Sequence, residues 1–203
     1  MSLLTVVRKN DLKKNAMQQI GVLHKETNVP DKDLVIADIG ANIGYYAESF
    51  LHFYPNSIVH AYEPHPLHIE ELNKLNEARI TVHPYGLWNC DKQMTIGMRS
   101  DGKMNNGTYG IFDHDHSIDV PFKNANNELI RPQIVKIDVE GSELFILECE
   151  AFFEKTQVML IELLDNDVHK MNDSVIKQLQ KMRFSCFSKL GKNDYLWIRD
   201  VAL

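Results

Sequence analysis

Short apolar runs alternate with amphipathic stretches along the chain from residue 34 onwards, and several of the runs end at an acidic residue. The runs are rich in Val and Ile, which is typical of strands buried on both faces of a parallel sheet. The stretches between them carry apolar residues at helical spacing. The predicted strands cover residues 34–37, 57–62, 80–83, 133–137, 157–161, 184–190 and 195–199. This alternation predicts an α/β domain with a seven-stranded, mostly parallel sheet whose last two strands form an antiparallel hairpin.

The 203 residues are the size of one large domain, so we expect a single domain over residues 1–203. Residues 1–33 are predicted to be a helical lead-in that ends near Pro30. Residues 86–131 are rich in Gly and Asn, with short alternating stretches, and we expect hairpins or irregular loops inserted into the sheet. Regular alternation then returns, with a helix predicted over residues 142–154.

The charge and the cysteine content narrow the class of protein. The net charge of −6 disfavours non-specific nucleic-acid binding, which needs a basic face. The three cysteines show no metal-binding or disulfide spacing, so we expect reduced thiols and a cytoplasmic protein. No leader sequence and no apolar run of about 18 residues is present, so no membrane span is expected.

The first candidate site is the turn after the first predicted strand, where residues 38–44 read Asp-Ile-Gly-Ala-Asn-Ile-Gly. Glycines at such a turn let the backbone approach a ligand, and the following helix begins with free amide donors. A phosphate, a pyrophosphate or the carboxylate of an amino-acid-like cofactor fits this turn. Asp38 would repel a pyrophosphate but can accept hydrogen bonds from an ammonium group. The glycine spacing also differs from the dinucleotide fingerprint.

Carboxylates also follow three other predicted strands. Glu63 ends the second strand, where a carboxylate can bind both hydroxyls of a ribose. Asp138 and Glu140 follow the strand 133–137 and could position or deprotonate a hydroxyl, bind a divalent cation, or cap the next helix. Glu162 ends the next strand and could face them, which makes Asp138, Glu140 and Glu162 weak candidates for a metal site.

Three segments carry a family resemblance: Asp38-Ile39-Gly40-Ala41-Asn42-Ile43-Gly44, Ala61-Tyr62-Glu63-Pro64-His65-Pro66, and Lys136-Ile137-Asp138-Val139-Glu140-Gly141-Ser142-Glu143. In order and spacing they closely resemble the FkbM family of S-adenosylmethionine-dependent methyltransferases, over about residues 34–165. The resemblance implies a Rossmann-like class I methyltransferase fold, for which a C-terminal antiparallel hairpin is also typical. It implies O-methylation of a hydroxyl-bearing small molecule such as a sugar or a polyketide.

The resemblance also implies roles for individual residues. Asp38, Gly40, Asn42 and Gly44 would contact the methionyl part of S-adenosylmethionine, and Glu63 would bind its ribose. Asp138 and Glu140 would lie at the methyl-transfer end, as the catalytic residues.

Two alternatives remain open. Glu63 would also suit an NAD-dependent oxidoreductase, although Asp38 and the C-terminal hairpin disfavour it. The segment 117–122 departs from the Thr-Leu-Asp sequence found in many family members, and the insertion is short. Both departures would fit a non-catalytic module that keeps the fold and binds the cofactor as a scaffold. Residues 113–116 read Asp-His-Asp-His, which indicates a solvated loop or, less well, an acceptor or metal site.

Overall fold

The computed structural model describes residues 3–98, 109–110, 116–139, 141–163 and 171–200. Its helices are α1 Leu3–Glu26, α2 Tyr45–Phe53, α3 Pro66–Lys74, α4 Glu143–Leu147 and α5 Asn172–Lys181. Its strands are β1 Val35–Ile39, β2 Ile58–Tyr62, β3 Ile80–His83, β4 Gly86–Trp88, β5 Lys92–Met98, β6 Tyr109–Gly110, β7 His116–Asn124, β8 Ile134–Ile137, β9 Val158–Glu162, β10 Phe184–Lys189 and β11 Asp194–Arg199.

The main sheet has seven strands in the order β10-β11-β9-β8-β1-β2-β3. Strands β9, β8, β1, β2 and β3 are parallel, while β11 pairs antiparallel with both β9 and β10. The predicted mostly parallel sheet with a C-terminal hairpin is therefore confirmed. Because the parallel strands run the same way, the residues that follow β1, β2, β8 and β9 meet at one edge of the sheet.

Each face of the sheet is covered by its own apolar core. Helices α1 and α2 cover one face, where Ile20, Phe50 and Tyr54 are fully buried. Helices α4 and α5 cover the other face, where Phe152 and Met159 are fully buried. The sheet is thus buried on both sides, which explains the continuous apolar runs in its sequence.

Residues 86–124 contribute a second sheet of four strands in the order β4-β7-β5-β6. Trp88 joins this sheet to the main domain, since its ring stacks on Phe145 of α4 at 4.2 Å between centroids. Cys149 Sγ adds a hydrogen bond to the Trp88 carbonyl oxygen at 3.4 Å. The expected insertion is therefore a small sheet packed against α4. Of the Asp-His-Asp-His sequence, residues 113–115 lie outside the described residues.

The helix predicted over residues 142–154 is shorter in the structure. Helix α4 ends at Leu147, and the chain continues in tight turns, with Phe152 N–H donating to the Cys149 carbonyl and Thr156 N–H to the Phe153 carbonyl. These turns bury two consecutive aromatic rings, Phe152 and Phe153, which a regular helix would point about 100° apart. Within the described ranges, no helix is long and apolar enough to cross a lipid bilayer.

Candidate active site

The turn after β1 is held against the end of β8. Gly40 and Gly44 have φ angles of 78° and 93°, a left-handed conformation that costs side-chain-bearing residues about 1–2 kcal/mol. A Cβ atom on Gly40 would overlap the carbonyl oxygen of Asp138. Gly40 is therefore required both by the backbone conformation and by the close approach of two strand ends.

Most backbone amides of this turn are already hydrogen-bonded within the protein. The amides of Gly40 and Ala41 donate to the Tyr62 carbonyl, and the amide of Gly44 donates to the Ala41 carbonyl. The amide of Asn42 donates to Glu63. These amides are therefore occupied within the protein, and the free donors expected from the sequence are those at the start of the following helix. The first turn of α2, residues 45–47, precedes the first intrahelical bond and supplies the donors instead.

Asp38 is the most unusual side chain at this edge of the sheet. It is fully buried, and neither carboxylate oxygen has a hydrogen-bond partner among the described residues. Lys136 Nζ is 3.6 Å from Oδ1, an ion pair beyond hydrogen-bonding distance. Burial raises the pKa of Asp38, against the opposing effect of the Lys136 charge. A buried carboxylate whose oxygens accept no hydrogen bond is costly, so Asp38 keeps acceptor capacity for a donor group on a ligand.

Lys136 connects the two acidic groups of the site. Its ammonium lies 3.2 Å from Asp138 Oδ2, donates to the Gly40 carbonyl at 3.1 Å, and lies 4.5 Å from the centre of the Tyr46 ring. Burial lowers the pKa of Lys136, but Asp138 and Asp38 outweigh it, so the net shift is upward and the lysine stays charged. The sequence motif contained Lys136, but no role was predicted for it. The sequence feature that could have indicated such a role is the position of this lysine within the apolar run 134–137.

Glu63 follows β2 and is 5% exposed. Its Oε2 accepts from the Asn42 amide and its Oε1 from the His65 amide, each at 2.8 Å. His68 Nδ1 lies 3.4 Å from Oε1. Each carboxylate oxygen has two lone pairs, so these bonds fix the carboxylate and leave acceptor capacity for a ligand. Glu63 is therefore brought together with the glycine turn, as the motifs predict.

Asp138 and Glu162 form a carboxyl pair at the ends of β8 and β9. The parallel register that pairs Ile137 with Ile161 places the two side chains on neighbouring strands. Burial raises the pKa of Asp138, but the Lys136 charge and the side-chain hydrogen bonds with Glu162 and Lys136 outweigh this effect. The net shift of the pKa is therefore downward. The Lys136 charge therefore favours the ionised form of Asp138.

The other acidic residues of the third motif have different positions. Glu143 is buried and accepts a hydrogen bond from the Gly141 amide at 3.1 Å. Glu140 lies outside the described residues. Within those residues, no group of three His, Cys, Asp or Glu side chains is arranged to hold a metal ion. The metal site suggested for Asp138, Glu140 and Glu162 remains a prediction.

Several solved structures resemble the whole domain. Magnesium protoporphyrin IX methyltransferase from Synechocystis PCC 6803, which has bound SAM, matches with a TM-score of 0.56 and 9% identity, over 98% of this chain and 85% of that chain. Aeropyrum pernix fibrillarin, in complex with S-adenosyl-L-methionine, matches with a TM-score of 0.52 and 14% identity, over 91% of this chain and 75% of that chain. Precorrin-6y C5,15-methyltransferase from Geobacter metallireducens GS-15 matches with a TM-score of 0.50 and 16% identity, over 88% of this chain and 84% of that chain.

The sheet order and these similar structures define a class I methyltransferase fold. The family model described as the methyltransferase FkbM domain matches residues 38–186, which is more than half of the chain. The chain therefore belongs to the FkbM methyltransferase family. This match confirms the family, fold and cofactor class expected from the sequence motifs. A comparison with curated protein sequences gives no match.

Proposed function

We propose that this protein binds S-adenosylmethionine and transfers its methyl group to a hydroxyl oxygen of a small molecule, such as a sugar or a polyketide. The observation that carries the proposal is Asp38, a buried carboxylate without a hydrogen-bond partner beside the glycine turn. The ammonium of a methionyl group is the partner that this carboxylate lacks. We further propose that the protein acts in the cytoplasm, where its three free cysteines stay reduced.

The described residues offer partners for the methionyl and ribose parts of the cofactor. Asp38 would accept hydrogen bonds from the ammonium, and the first-turn amides of α2 would bind the carboxylate. Glu63 would accept from the ribose hydroxyls. The two carboxylates Asp38 and Asp138 flank a single Lys136, so these three groups together carry a negative charge that suits a cationic cofactor. The same charge opposes the pyrophosphate of NAD.

Asp138 and Glu162 would have separate roles in methyl transfer. Bound S-adenosylmethionine supplies a methyl group on a positively charged sulfur. Lys136 keeps Asp138 ionised, so Asp138 can accept a hydrogen bond from an acceptor hydroxyl and then its proton. The hydrogen bond from Glu162 fixes the direction of that carboxylate. Glu140 remains a second candidate base by its place in the motif.

We propose that the acceptor is not a nucleic acid. The chain carries a net charge of −6, and the site edge itself bears Asp138, Glu162 and Asp194 on neighbouring strands. A phosphate backbone needs cationic side chains at this position. An uncharged small molecule meets no such electrostatic barrier.

Calorimetric titration of the purified protein with S-adenosylmethionine, S-adenosylhomocysteine and NAD tests the cofactor proposal. We expect micromolar binding of the first two, no binding of NAD, and loss of binding in Glu63→Ala. An exposed acidic residue of α3 provides the matched control, and Glu70→Ala should bind as the wild type does. Absence of binding to both sulfur compounds would overturn the proposal, and binding of NAD alone would favour an oxidoreductase.

A further inference from the structure

Helix α1 contributes one buried amide to the same edge of the sheet. Gln19 is 1% exposed, and both ends of its side chain are hydrogen-bonded. Nε2 donates to Asp194 Oδ2 at 2.8 Å, and Oε1 accepts from the Tyr46 hydroxyl at 2.8 Å. These partners determine which end of the amide carries the oxygen, because the carboxylate can only accept and the hydroxyl donates to the other end. Gln19 thus links α1, α2 and β11.

The two hydrogen bonds of the Gln19 amide connect it to the candidate active site. On one side, the Tyr46 ring lies 4.5 Å from the Lys136 ammonium, which bridges Asp38 and Asp138. On the other side, Asp194 is the register partner of Glu162 across β11 and β9. Directly paired residues of antiparallel strands point to the same face of the sheet. Asp194 therefore lies beside the Asp138–Glu162 pair, at the end of the site away from Glu63.

Gln19 and Asp194 both lie outside residues 38–186, the segment that the family model matches. The cofactor-binding residues all lie inside that segment. Asp194 is half-buried, Gln19 occupies only its Oδ2, and no described residue hydrogen-bonds to its Oδ1. A carboxylate fixed through one oxygen and open at the other is an acceptor for a ligand hydroxyl.

We propose that Asp194 binds the methyl acceptor and that Gln19 is the positioning residue that holds Asp194 for this task. The inference rests on the proposed function and adds a substrate class to it. Asp138, Glu162 and Asp194 make this end of the site acidic, and each can accept a hydrogen bond from a hydroxyl. The fitting acceptor is therefore an uncharged molecule with several hydroxyl groups, and a phosphorylated or carboxylated analogue is rejected.

The test compares acceptor kinetics with cofactor binding in matched variants. Asp194→Asn keeps an oxygen for Gln19 but removes the charge, and Gln19→Leu removes both amide hydrogen bonds. The probes are a panel of uncharged methyl glycosides and the corresponding sugar phosphates and uronic acids, assayed with S-adenosylmethionine. The control Lys13→Ala removes the exposed ion pair of α1 with Glu48, which lies 3.0 Å away, and leaves the site intact.

In the wild type we expect transfer to uncharged glycosides only. Both site variants should raise the KM for the glycoside about tenfold or more, the loss expected for one hydrogen bond to a charged group. The Kd for S-adenosylhomocysteine should stay within about twofold of the wild type, since the cofactor residues are unchanged. Lys13→Ala should match the wild type in both measurements.

Two results would overturn the inference while the proposed function stands. One is an unchanged glycoside KM in Asp194→Asn and Gln19→Leu, which would make the network purely structural. The other is transfer to the anionic sugars, or to no uncharged glycoside, by a protein that binds S-adenosylhomocysteine. Failure of the wild type to bind S-adenosylhomocysteine would instead overturn the proposed function itself. If Gln19→Leu does not fold, Asp194→Asn carries the test, because its hydrogen bond to Gln19 is retained.

Discussion

The two halves of the candidate site are built in different ways. The proposed cofactor half, residues 38–44 with Glu63, is held by backbone groups, since the turn and Glu63 share main-chain hydrogen bonds. The proposed acceptor half, Gln19, Asp138, Glu162 and Asp194, is held by side chains from α1, β9, β11 and the loop after β8. Gln19 and Asp194 are 175 residues apart in sequence.

This difference explains what each half can tolerate. Backbone hydrogen bonds do not depend on side-chain identity, but the turn that makes them needs glycine where φ is positive. Side-chain hydrogen bonds depend on the identity of every partner, while the backbone beneath them can stay unchanged. Substitutions of the turn glycines should therefore act through folding, and substitutions of the side chains in the acceptor half through activity in a folded protein.

The largest effect is expected at Gly40. In Gly40→Ala the new Cβ would overlap the Asp138 carbonyl oxygen, in a conformation with a φ angle of 78°. We expect a loss of several kcal/mol in the free energy of unfolding, and no measurable binding of S-adenosylhomocysteine. Thermal and urea unfolding with calorimetry provide the measurement. Lys14→Ala, at an exposed position of helix α1, is the control, and its change should be under about 1 kcal/mol. Equal stability of the two variants would contradict the backbone account of this turn.

The next largest effect concerns the acceptor half. Asp138→Asn removes the proposed proton acceptor but keeps the shape of the side chain. We expect kcat to fall by about 10²–10⁴-fold while the Kd for S-adenosylhomocysteine changes by only a few fold. Asp119→Asn changes an exposed carboxylate that bonds Thr95 on the second sheet and should leave kcat unchanged. Unchanged turnover in Asp138→Asn would remove Asp138 from the mechanism.

A smaller effect is expected for Glu63→Gln. The amide nitrogen cannot accept a hydrogen bond, so either the Asn42 or the His65 backbone amide loses its acceptor. We expect the Kd for S-adenosylmethionine to rise about tenfold, with little change of kcat at saturating cofactor. Steady-state kinetics at varied cofactor concentration separate these quantities. A fall in kcat with an unchanged cofactor KM would place Glu63 in the acceptor half instead.

The smallest expected effect is a pH dependence of the free energy of unfolding that arises from His83. His83 of β3 hydrogen-bonds His60 and Tyr85, and Tyr85 donates to Glu128. Burial, with a smaller contribution from His60, lowers the pKa of His83 to about 4. From about pH 6.5 down to pH 4 the unfolded chain binds a proton at this position and the folded protein does not. The free energy of unfolding should therefore fall over this window as the pH falls.

Urea unfolding at several pH values measures this slope. Replacing His83 by Gln removes the titrating group, so the variant should lose less stability than the wild type between pH 6.5 and pH 4. A slope equal to that of the wild type would show that His83 is protonated in the folded protein.

The placement of the proposed cofactor residues at one edge of the sheet could be predicted from the sequence because they lie within short motifs. Asp38, Gly40 and Glu63 follow predicted strands, and parallel strands bring their ends together without further information. The role of Lys136 was missed because a lysine in an apolar run carries no sign of its partners until the register pairs it with Asp38. Similarly, the sequence around Gln19 gives no sign of its hydrogen bond to Asp194, since that contact depends on how α1 packs against the sheet.

The order of β11 in the sheet has a consequence for folding during synthesis. Strand β11 lies between β9 and β10, although it is the last strand of the chain. The strands that carry the proposed cofactor residues, β1, β2 and β8, are synthesised before β11, and Asp194 follows all of them in the chain. Because a domain generally folds as a unit, β11 must insert between β9 and β10 before the sheet is complete. Sequence changes in β11 would accordingly act on the proposed acceptor half, while the turn after β1 keeps its own hydrogen bonds to β2.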